Sequence, residues 1–448
     1  MGPSRKLKSN NITDLTKAVL KTYIKRNDHV FVALSGGMDS IVLLDLLNAL
    51  SIPMQFNLSA IHVDHGISQN AAQWSKFCCN ICRTLSIPIT ITHLKIRKER
   101  GISLEAAARF ARYQVFKHLK AEYVVLGQHQ DDQAETLLLQ LLRGAGIRGL
   151  AAMPVARSQA DNAPQILRPM LNIPRSSIKE YAQTKKLNWV NDESNENITF
   201  DRNFLRHQIF PLLQKRYPAY PTTLLRASQH LAEASHLLDE LAELDYLKCM
   251  IDGKLQIEYL RQLNLPRAKN LLRYTFSRER IIQPGAKKLT DILQQLLTVS
   301  ADTKLHISFG NTDIRCYKGA VNILPKRNFS ENKLLIIWSK ENRIELNQID
   351  GAISFSYKNT GISLEKLNKN LVTIQLRSGG ERFRPDCKRP RRRLKTLFQE
   401  ALIPSWRRHA LPLLFSGEQL VWVPGIGIDC DFQTKPGEIG LLPTWEPN

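Results

Sequence analysis

The sequence predicts an α/β protein with an N-terminal domain on a parallel sheet, a mostly helical middle domain and a small mixed α/β C-terminal domain. Short apolar strands alternate with amphipathic helices in the first part of the chain, and this pattern produces parallel strands joined by helical crossovers. Long helical patterns follow, and strand patterns return near the end. A chain of 448 residues exceeds one ordinary domain. We place the domains at 12–220, 221–330 and 364–448, with a strand-like connecting segment at 331–363.

Four strand patterns and four helix patterns make up the N-terminal domain. The strands are predicted at His29–Leu34, Phe56–Val63, Ile87–Leu94 and Tyr123–Gly127, and the helices at Met38–Leu50, Gln73–Leu85, Ser103–Leu119 and Asp131–Arg143. Ligands of such sheets bind beyond the carboxyl ends of the strands. The loops after Leu34, Val63 and Gly127 are therefore the expected site.

The rest of the chain is less regular. Helices are predicted at Leu224–Leu247, Ile257–Phe276, Lys287–Leu297 and Leu394–Ala401, and strand-rich stretches at Asp302–Ile323 and Lys333–Tyr357. We find no internal repeat and no low-complexity segment. Lys333–Tyr357 carries no recognisable chemistry, and the sequence assigns no role to the middle domain.

The charge balance favours a polyanionic partner. The chain has 63 Lys and Arg against 41 Asp and Glu, a formal net charge of +22. Such an excess is not needed for folding, whereas nucleic acid would exploit it through counterion release. A solubility bias or an anionic membrane surface would explain the same charge. No apolar run is long enough to span a membrane, the first ten residues do not resemble a signal peptide, and seven scattered cysteines suggest reduced thiols. We therefore expect a cytoplasmic protein.

A phosphate-binding loop is predicted at Ser35–Ser40, between the first strand and its helix. Gly36 and Gly37 let the backbone approach a ligand, and Met38 opens a helix whose free N–H groups attract anions. The hydroxyls of Ser35 and Ser40 add donors. Asp39 would be repelled by phosphate unless a cation intervened, so it predicts Mg²⁺ bound with ATP. The alternatives are an ordinary glycine turn and an acid favoured in the first helical turn.

Two further loops carry polar clusters at the same edge. His62 and His65 follow the second strand, and we expect them to line a nucleotide pocket more readily than to bind a metal, because they point to opposite faces. After the fourth strand, Asp132 and Glu135 lie on one face of a first helical turn, where two carboxylates could grip an amine or share a metal. The alternative is that Asp131 caps this helix and that Asp132 and Glu135 are there only because the helix dipole favours acidic residues in the first turn.

Two basic elements complete the candidate site residues. Arg109 and Arg112 share a helix face with Glu105, either as part of the site or as part of a surface ion pair. Near the end of the chain the stretch from Arg377 to Arg408 contains 11 Lys and Arg and 3 Asp and Glu. This predicts an RNA-recognition unit, with Trp406 as a stacking face. Its basic residues nearest the predicted helix are Arg389, Arg391, Arg392, Arg393 and Lys395. A solvated basic face is the alternative.

These segments, taken together, resemble the bacterial tRNA(Ile)-lysidine synthases, and the hexapeptide Ser35–Ser40 alone resembles the wider PP-loop ATP pyrophosphatase group. The resemblance covers nearly the whole chain. Its specific part is Asp192–Asn195 followed by Asp201–Arg206, together with Gly380–Arg382 and Leu394–Glu400 in the C-terminal domain.

The resemblance implies a function and assigns residues to it. An enzyme of this family adenylates the C2 oxygen of the wobble cytidine in tRNA-Ile with a CAU anticodon, and the ε-amine of free L-lysine then displaces AMP. Asp39, Arg109, Arg112, Asp132 and Glu135 would be catalytic, with Asp132 and Glu135 orienting lysine. Arg202 and Arg206 would contact tRNA, and a homodimer is possible.

Two other functions remain open on the sequence alone. A PP-loop tRNA thiolase would use cysteine chemistry, and Cys79 and Cys82 have the necessary spacing, although no second pair accompanies them. A non-catalytic RNA-binding protein would explain the charge but not the acidic cluster.

Overall fold

The computed structural model describes residues 9–66, 68, 70–96, 104–159, 162–300, 305–326 and 334–447. Two predictions fall outside this description: Ser103 as a helix start, and the side chain of Glu105. The chain divides into two compact units, one ending at Leu244 and one beginning at Asp245.

The first unit contains a six-stranded sheet surrounded by helices. Its strands are β1 His29–Ala33, β2 Asn57–Asp64, β3 Ile89–His93, β4 Tyr123–Val125, β5 Ala156–Arg157 and β6 Gln165–Leu167. Its helices are α1 Ser9–Tyr23, α2 Met38–Met54, α3 Ala71–Thr84, α4 Leu104–Lys117, α5 Gln130–Leu142, α6 Ile147–Leu150, α7 Arg175–Thr184, α8 Asp201–Phe204 and α9 Phe210–Arg216, and α10 Tyr220–Cys249 crosses into the second unit. The strand order is β3-β2-β1-β4-β6-β5, parallel except for β5.

Burial on both faces explains why the strands are continuously apolar. In β1, Val30 and Val32 belong to a core shared with α1, α2, α3 and α7. Phe31 belongs to a second core on the opposite face, where Phe116 of α4 packs. A strand covered by helices on both sides needs apolar residues at every position, and this is the pattern that predicted a parallel sheet. The predicted α/β fold is confirmed.

The middle part of the chain combines helices with an antiparallel sheet. The helices are α11 Ile257–Gln262, α12 Leu265–Arg278 and α13 Ala286–Thr298, and the strands are β7 Met250–Ile251, β8 Lys254–Gln256, β9 His306–Phe309, β10 Thr312–Tyr317 and β11 Ala320–Pro325. The single helix predicted at Ile257–Phe276 is two helices. Asn264 caps α12 by accepting a hydrogen bond from the backbone N–H of Arg267, and Pro266 follows in its first turn, so the helix restarts there.

The C-terminal part is built from short antiparallel strands. They are β12 Leu335–Ile337, β13 Arg343–Glu345, β14 Gly351–Lys358, β15 Ile362–Ser363, β16 Val372–Gln375, β17 Arg382–Phe383, β18 Arg392–Arg393, β19 Leu413–Ser416, β20 Gln419–Val423, β21 Gly427–Ile428 and β22 Gly440–Pro447. The helices are α14 Leu364–Leu367, α15 Leu394–Glu400 and α16 Ser405–Arg408.

The segment 331–363, predicted as a connection between domains, supplies strands to these sheets. Along its whole length β14 pairs with β22, from Gly351 opposite Pro447 to Lys358 opposite Gly440. β12 pairs with β16 in the neighbouring sheet. Strands that share a sheet share its core, so 334–363 and the C-terminal strands are one folding unit.

The cysteines require a correction. Cys387 and Cys430 form a disulfide with a Cα–Cα distance of 5.4 Å, so the prediction that all seven thiols are reduced is wrong for these two. They are 43 residues apart, and their spacing in the sequence does not predict that they pair. The other five cysteines are free.

Candidate active site

The loop between β1 and α2 is closed by its own serines. Gly36 has φ +87°, and a Cβ there would lie 2.9 Å from the Val190 side chain. The hydroxyl of Ser40 donates to the carbonyl of Gly37 over 2.8 Å and accepts from the backbone N–H of Ser35 over 3.2 Å. Gly37 is the N-cap of α2 and has no side chain to satisfy the first N–H groups. The loop therefore offers backbone donors to an anion, while the serine hydroxyls brace it.

Asp39, in the first turn of α2, has the properties of a cation ligand. Its Oδ1 is buried and, among the described residues, has no hydrogen-bond partner. Its Oδ2 lies 3.6 Å from Nε2 of His129. Burial raises the pKa of Asp39, but the hydrogen bond and charge of His129 outweigh it and the net pKa lies below the usual range. The side chain is therefore ionised beside the phosphate loop.

A magnesium ion fits this arrangement. Within the described ranges no three His, Cys, Asp or Glu side chains lie close enough to hold a metal by themselves. Mg²⁺ is commonly held by one or two carboxylates together with phosphate oxygens and water. An orphan oxygen of Asp39 next to a phosphate cradle meets that requirement.

His129 connects Asp39 to the acidic cluster of α5. The ring is 2% exposed, and its Nε2 lies 3.5 Å from Oδ2 of Asp132. Burial lowers the pKa of His129, but Asp132 and Asp39 outweigh it and raise the pKa to about 9. An imidazolium thus holds two carboxylates together. The sequence placed His129 within the cluster but gave it no role, because a contact with Asp39 needs the sheet to bring two distant loops together.

The predicted acidic pair is joined by an arginine. Nη2 of Arg206 lies 3.0 Å from Oδ1 of Asp132 and 2.9 Å from Oε2 of Glu135, and its Nε donates to Oε1 of Glu135. Glu135 is 2% exposed. Burial raises its pKa above the usual range, although Arg206 opposes this. The Arg206 guanidinium binds these carboxylates in the structure, and its predicted contact with tRNA stays a prediction.

The local backbone explains how Arg206 reaches the pair. Arg206 lies in a π-helical turn, Leu205–Ile209, of the kind often found at functional sites. One turn earlier, Nη2 of Arg202 lies 3.5 Å from the hydroxyl of Thr136 on α5. The element Asp201–Arg206 thus lies along the first turns of α5, and tRNA contact by Arg202 stays a prediction.

The capping alternative is only partly right. His129 is the N-cap of α5, and Asp132 accepts its backbone N–H over 3.0 Å. Asp131, predicted as the cap, instead accepts the backbone N–H of Arg175 over 3.0 Å. Asp132 therefore serves both the helix end and the site, whereas capping leaves Glu135 unexplained.

The residues at the end of β2 hold the strand end that precedes the phosphate loop. His62 is 4% exposed, and its Nδ1 lies 2.8 Å from the carbonyl of Leu34 at the end of β1. His65 has a buried Nδ1 with no hydrogen-bond partner in the part of the chain that the structure describes. Burial and then Arg112 lower its pKa, so the ring is neutral. His65 could accept a proton or hydrogen bond from a ligand.

On α4, Arg109 and Arg112 lie near Tyr113. The guanidinium of Arg109 lies 5.3 Å from the centre of the Tyr113 ring, and Arg112 acts on His65 and Tyr113 through its charge. The predicted catalytic arginines thus belong to the same edge of the sheet.

Gly127 explains why the loop after β4 comes so close to α2, since a Cβ there would lie 2.9 Å from the carbonyl oxygen of Asp39.

In the C-terminal basic stretch, two arginines are held by carboxylates. Nη2 of Arg391 lies 3.0 Å from Oδ1 of Asp429, which is fully buried, and 2.8 Å from Oδ2 of Asp431. Arg392 pairs with Glu400. Arg389 is 67% exposed on its side chain, 3.5 Å from Asp386, and Arg393 and Lys395 are exposed.

Trp406 is not the open stacking face that was expected. The guanidinium of Arg315 lies 5.6 Å from the centre of its ring, and Tyr317 meets the ring edge-on at 6.1 Å. Arg408 is 7% exposed and donates to the carbonyl of Ile403 over 2.8 Å. Trp406 and Arg408 therefore pack within the unit.

The cysteines of α3 lack the features of a reactive pair. Cys82 is fully buried, and burial raises its pKa to about 11. The neighbouring Cys78 is also fully buried, and its pKa is raised to about 12. Cys79, the other member of the predicted pair, is partly exposed, but a reactive pair needs two accessible thiols, and Cys82 does not provide one.

The fold and the phosphate loop define an ATP-using enzyme of the PP-loop class, and residues 7–213 match the family model of the PP-loop domain. Residues 255–321 match the TilS substrate binding domain, and residues 372–445 match the TilS substrate C-terminal domain. The chain belongs to the tRNA(Ile)-lysidine synthase family.

Curated relatives support this membership over the full length. The tRNA(Ile)-lysidine synthase of Nitrosomonas europaea is 48% identical over 450 residues, covering 100% of this chain and 98% of the relative. That of Azoarcus sp. is 37% identical over 415 residues, covering 93% and 91%. The solved U34-tRNA thiolase NcsA from Methanococcus maripaludis is 19% identical with a TM-score of 0.45, covering 50% of this chain and 78% of that chain, a likeness too weak to argue activity. The family resemblance is confirmed. No helix within the described residues is long and apolar enough to cross a membrane.

Proposed function

We propose that this enzyme ligates free L-lysine to C2 of the wobble cytidine in the CAU anticodon of tRNA-Ile, forming a carbon–nitrogen bond. One observation carries the proposal. A buried pair of carboxylates, Asp132 and Glu135, already holds a cationic side chain, Arg206, and His129 links this pair to Asp39 at the phosphate loop. An anionic pocket for an amine therefore adjoins a cradle for a nucleotide.

The first step would activate the base. The C2 oxygen of the cytidine attacks the α-phosphorus of ATP, the bond to the bridging α–β oxygen breaks, and pyrophosphate leaves. The backbone donors of Gly37 and the first turn of α2 would hold the departing phosphates. Asp39 would hold Mg²⁺, which neutralises phosphate charge when bound. His129, kept protonated by its two carboxylates, fixes the orientation of Asp39.

The second step would transfer lysine. The ε-amine attacks C2, the bond between C2 and the adenylated oxygen breaks, and AMP leaves with the electron pair. The amine must lose a proton to attack. Asp132 and Glu135 would bind the ammonium form and orient it, exchanging their contact with Arg206 for one with the substrate. Arg109 and Arg112 would neutralise the phosphate of AMP or the carboxylate of lysine.

The direct test is mass spectrometry of an anticodon fragment after incubation with tRNA-Ile, ATP and lysine. We expect the mass of the cytidine to rise by that of lysine minus water, with one AMP and one pyrophosphate released per event. Omitting ATP or lysine is the control. Transfer of sulfur, or binding without modification, would contradict the proposal and favour the thiolase or the non-catalytic RNA-binding protein.

The role of Asp39 is tested with a substitution. Asp39→Asn keeps the shape of the side chain but removes the charge that would hold Mg²⁺, so tRNA-dependent pyrophosphate release should be lost in a variant that circular dichroism shows to be folded. Full release by this variant would remove Asp39 from the mechanism.

The homodimer and the cytoplasmic location stay predictions.

A further inference from the structure

A buried arginine with no role in the mechanism above lies at the carboxyl edge of the parallel sheet. Arg168 follows β6 directly and is 1% exposed. Its Nη1 donates to the carbonyl of Pro154 over 2.9 Å, its Nη2 to the hydroxyl of Tyr113 over 3.4 Å, and its Nε to the side-chain oxygen of Gln128. Among the residues that the structure describes, no carboxylate pairs with it.

A buried charge without a counter-charge is costly. Desolvation strongly disfavours a buried ion unless partners compensate, and buried charges are normally paired. Burial lowers the pKa of Arg168, and the contact with Tyr113 opposes the shift. Neutral acceptors alone are poor compensation, so a purely structural role would be better filled by an apolar side chain.

The three acceptors of Arg168 belong to three different parts of the site. Tyr113 lies on α4 beside Arg109, which approaches its ring at 5.3 Å. Gln128 immediately precedes His129, the residue that joins Asp39 to Asp132. Pro154 follows Met153, whose backbone N–H and carbonyl are both bonded to Gln133 of α5, over 2.8 Å each. The guanidinium of Arg168 therefore connects α4, which carries Arg109, to α5 and the loop before it, which carry the acidic residues.

Tyr113 is the contact through which the charge can act. Burial raises the pKa of Tyr113, but Arg109 and Arg168 outweigh it, and the net pKa lies below the usual range. Arg168 thus donates to the hydroxyl while Arg109 lies over the ring. This fixes the ring on which Arg109 rests.

We propose that Arg168 is a positioning residue for adenylation: through Tyr113 and Gln128 it holds Arg109 on one side and His129 with Asp39 on the other, so that the phosphates of ATP meet both. The inference rests on the proposed function, because it assigns Arg168 to the first step of that reaction. Small misplacements of catalytic groups lower rates strongly, which explains why a costly buried charge is kept.

The test uses the full-length enzyme and tRNA-dependent ATP–pyrophosphate exchange, which reports adenylation without lysine. Arg168→Met should lower kcat on the order of 10- to 100-fold, with the KM for ATP nearly unchanged, because the loss is one of alignment. Arg168→Lys, which keeps the charge, should recover part of this loss. Tyr113→Phe should lower kcat, and adding it to Arg168→Met should cost little more, because the two residues act as a unit.

The matched control is Arg157→Met on β5, an exposed arginine of the same sheet that should keep full kcat. Wild-type kcat per folded molecule in Tyr113→Phe and Arg168→Lys would overturn the inference, and these two variants decide it even if Arg168→Met fails to fold. A double variant in which the kcat losses of Tyr113→Phe and Arg168→Met multiply would overturn the inference as well. Failure of lysine transfer by the wild-type enzyme would overturn the proposed function instead, because exchange is measured without lysine.

Discussion

Arginine–carboxylate pairs occur in both the active site and the C-terminal basic stretch, and they differ in burial. In the active site, the side chain of Glu135 is 2% exposed and that of its partner Arg206 33%. In the C-terminal part, the side chain of Glu400 is 51% exposed and that of Arg392 28%. The first pair therefore holds a carboxylate that is shielded from water. The second is a surface pair that salt screens.

Composition alone does not separate these roles. Both regions contain arginine near acidic residues, and Arg206 and Arg392 were both predicted to contact tRNA. Only the fold shows that Arg206 binds two buried carboxylates, whereas Arg392 pairs with an exposed glutamate at the end of a helix. The following predictions test whether burial is what divides them.

The largest effect is expected on removing Arg206. Arg206→Leu leaves the buried Glu135 without its cation, and breaking a buried pair costs about 3–5 kcal/mol of unfolding free energy. Arg392→Leu, the surface counterpart, should cost far less, because exposed ion pairs contribute little to stability. Urea denaturation of both variants measures the difference. Equal losses would mean that burial does not distinguish the pairs.

His129 predicts a pH dependence of stability. Its folded pKa of about 9 lies above the ordinary value of 6.5, so the folded state binds the proton more tightly than the unfolded state. The resulting stabilisation is fully present below about pH 6.5 and is lost as the pH rises through 9, a change on the order of 3 kcal/mol. Denaturation at pH 6.5 and pH 9 should show it, and His129→Gln should flatten the slope. An unchanged slope in that variant would assign the effect to other groups.

Glu135→Gln should impair lysine use more than ATP binding. The amide keeps the size of the side chain but removes one of the two charges proposed to hold the ammonium group, so the KM for lysine should rise about 10- to 100-fold, the equivalent of a charged hydrogen bond of 1.5–3 kcal/mol. Steady-state lysine transfer gives the KM, and calorimetry with ATP is the control. Equal weakening of both ligands would return Glu135 to a purely structural role.

Local pattern predicted β1–β4 and α2–α5 of the N-terminal domain, but not β5, β6, α1 or α6–α9. α5 was expected at Asp131–Arg143 and runs Gln130–Leu142. Contacts between segments distant in the chain were not predictable. Arg206 reaches Glu135 across 71 residues, and β14 pairs with a strand at the end of the chain. Periodicity within a segment carries no information about its partner.

The same limit affects how the RNA-binding prediction can be tested. Deleting the chain from Leu364 would remove β22, the partner of β14, and would damage the fold. Reversing the charge of Arg391 would oppose the fully buried Asp429. Neither experiment would separate weaker RNA binding from damage to the structure, and the choice of residues must follow their burial.

The smallest effect is therefore expected from the exposed cations. Arg393 and Lys395 are exposed, and no ion pair of either is found among the described residues, so their substitution with Ala should leave unfolding unchanged. If each neutralises one phosphate, tRNA affinity should fall only a few-fold per residue at moderate salt, and the slope of log K against log salt should drop by roughly 1 for each phosphate that is no longer neutralised. Filter binding of tRNA-Ile across a salt series measures both quantities. Arg343→Ala, another exposed arginine of the same unit, bonded to Glu345 over 2.8 Å, is the matched control and should leave the slope unchanged. A slope that stays constant in the Arg393 and Lys395 variants would show that the basic stretch is a solvated face and that tRNA binds elsewhere.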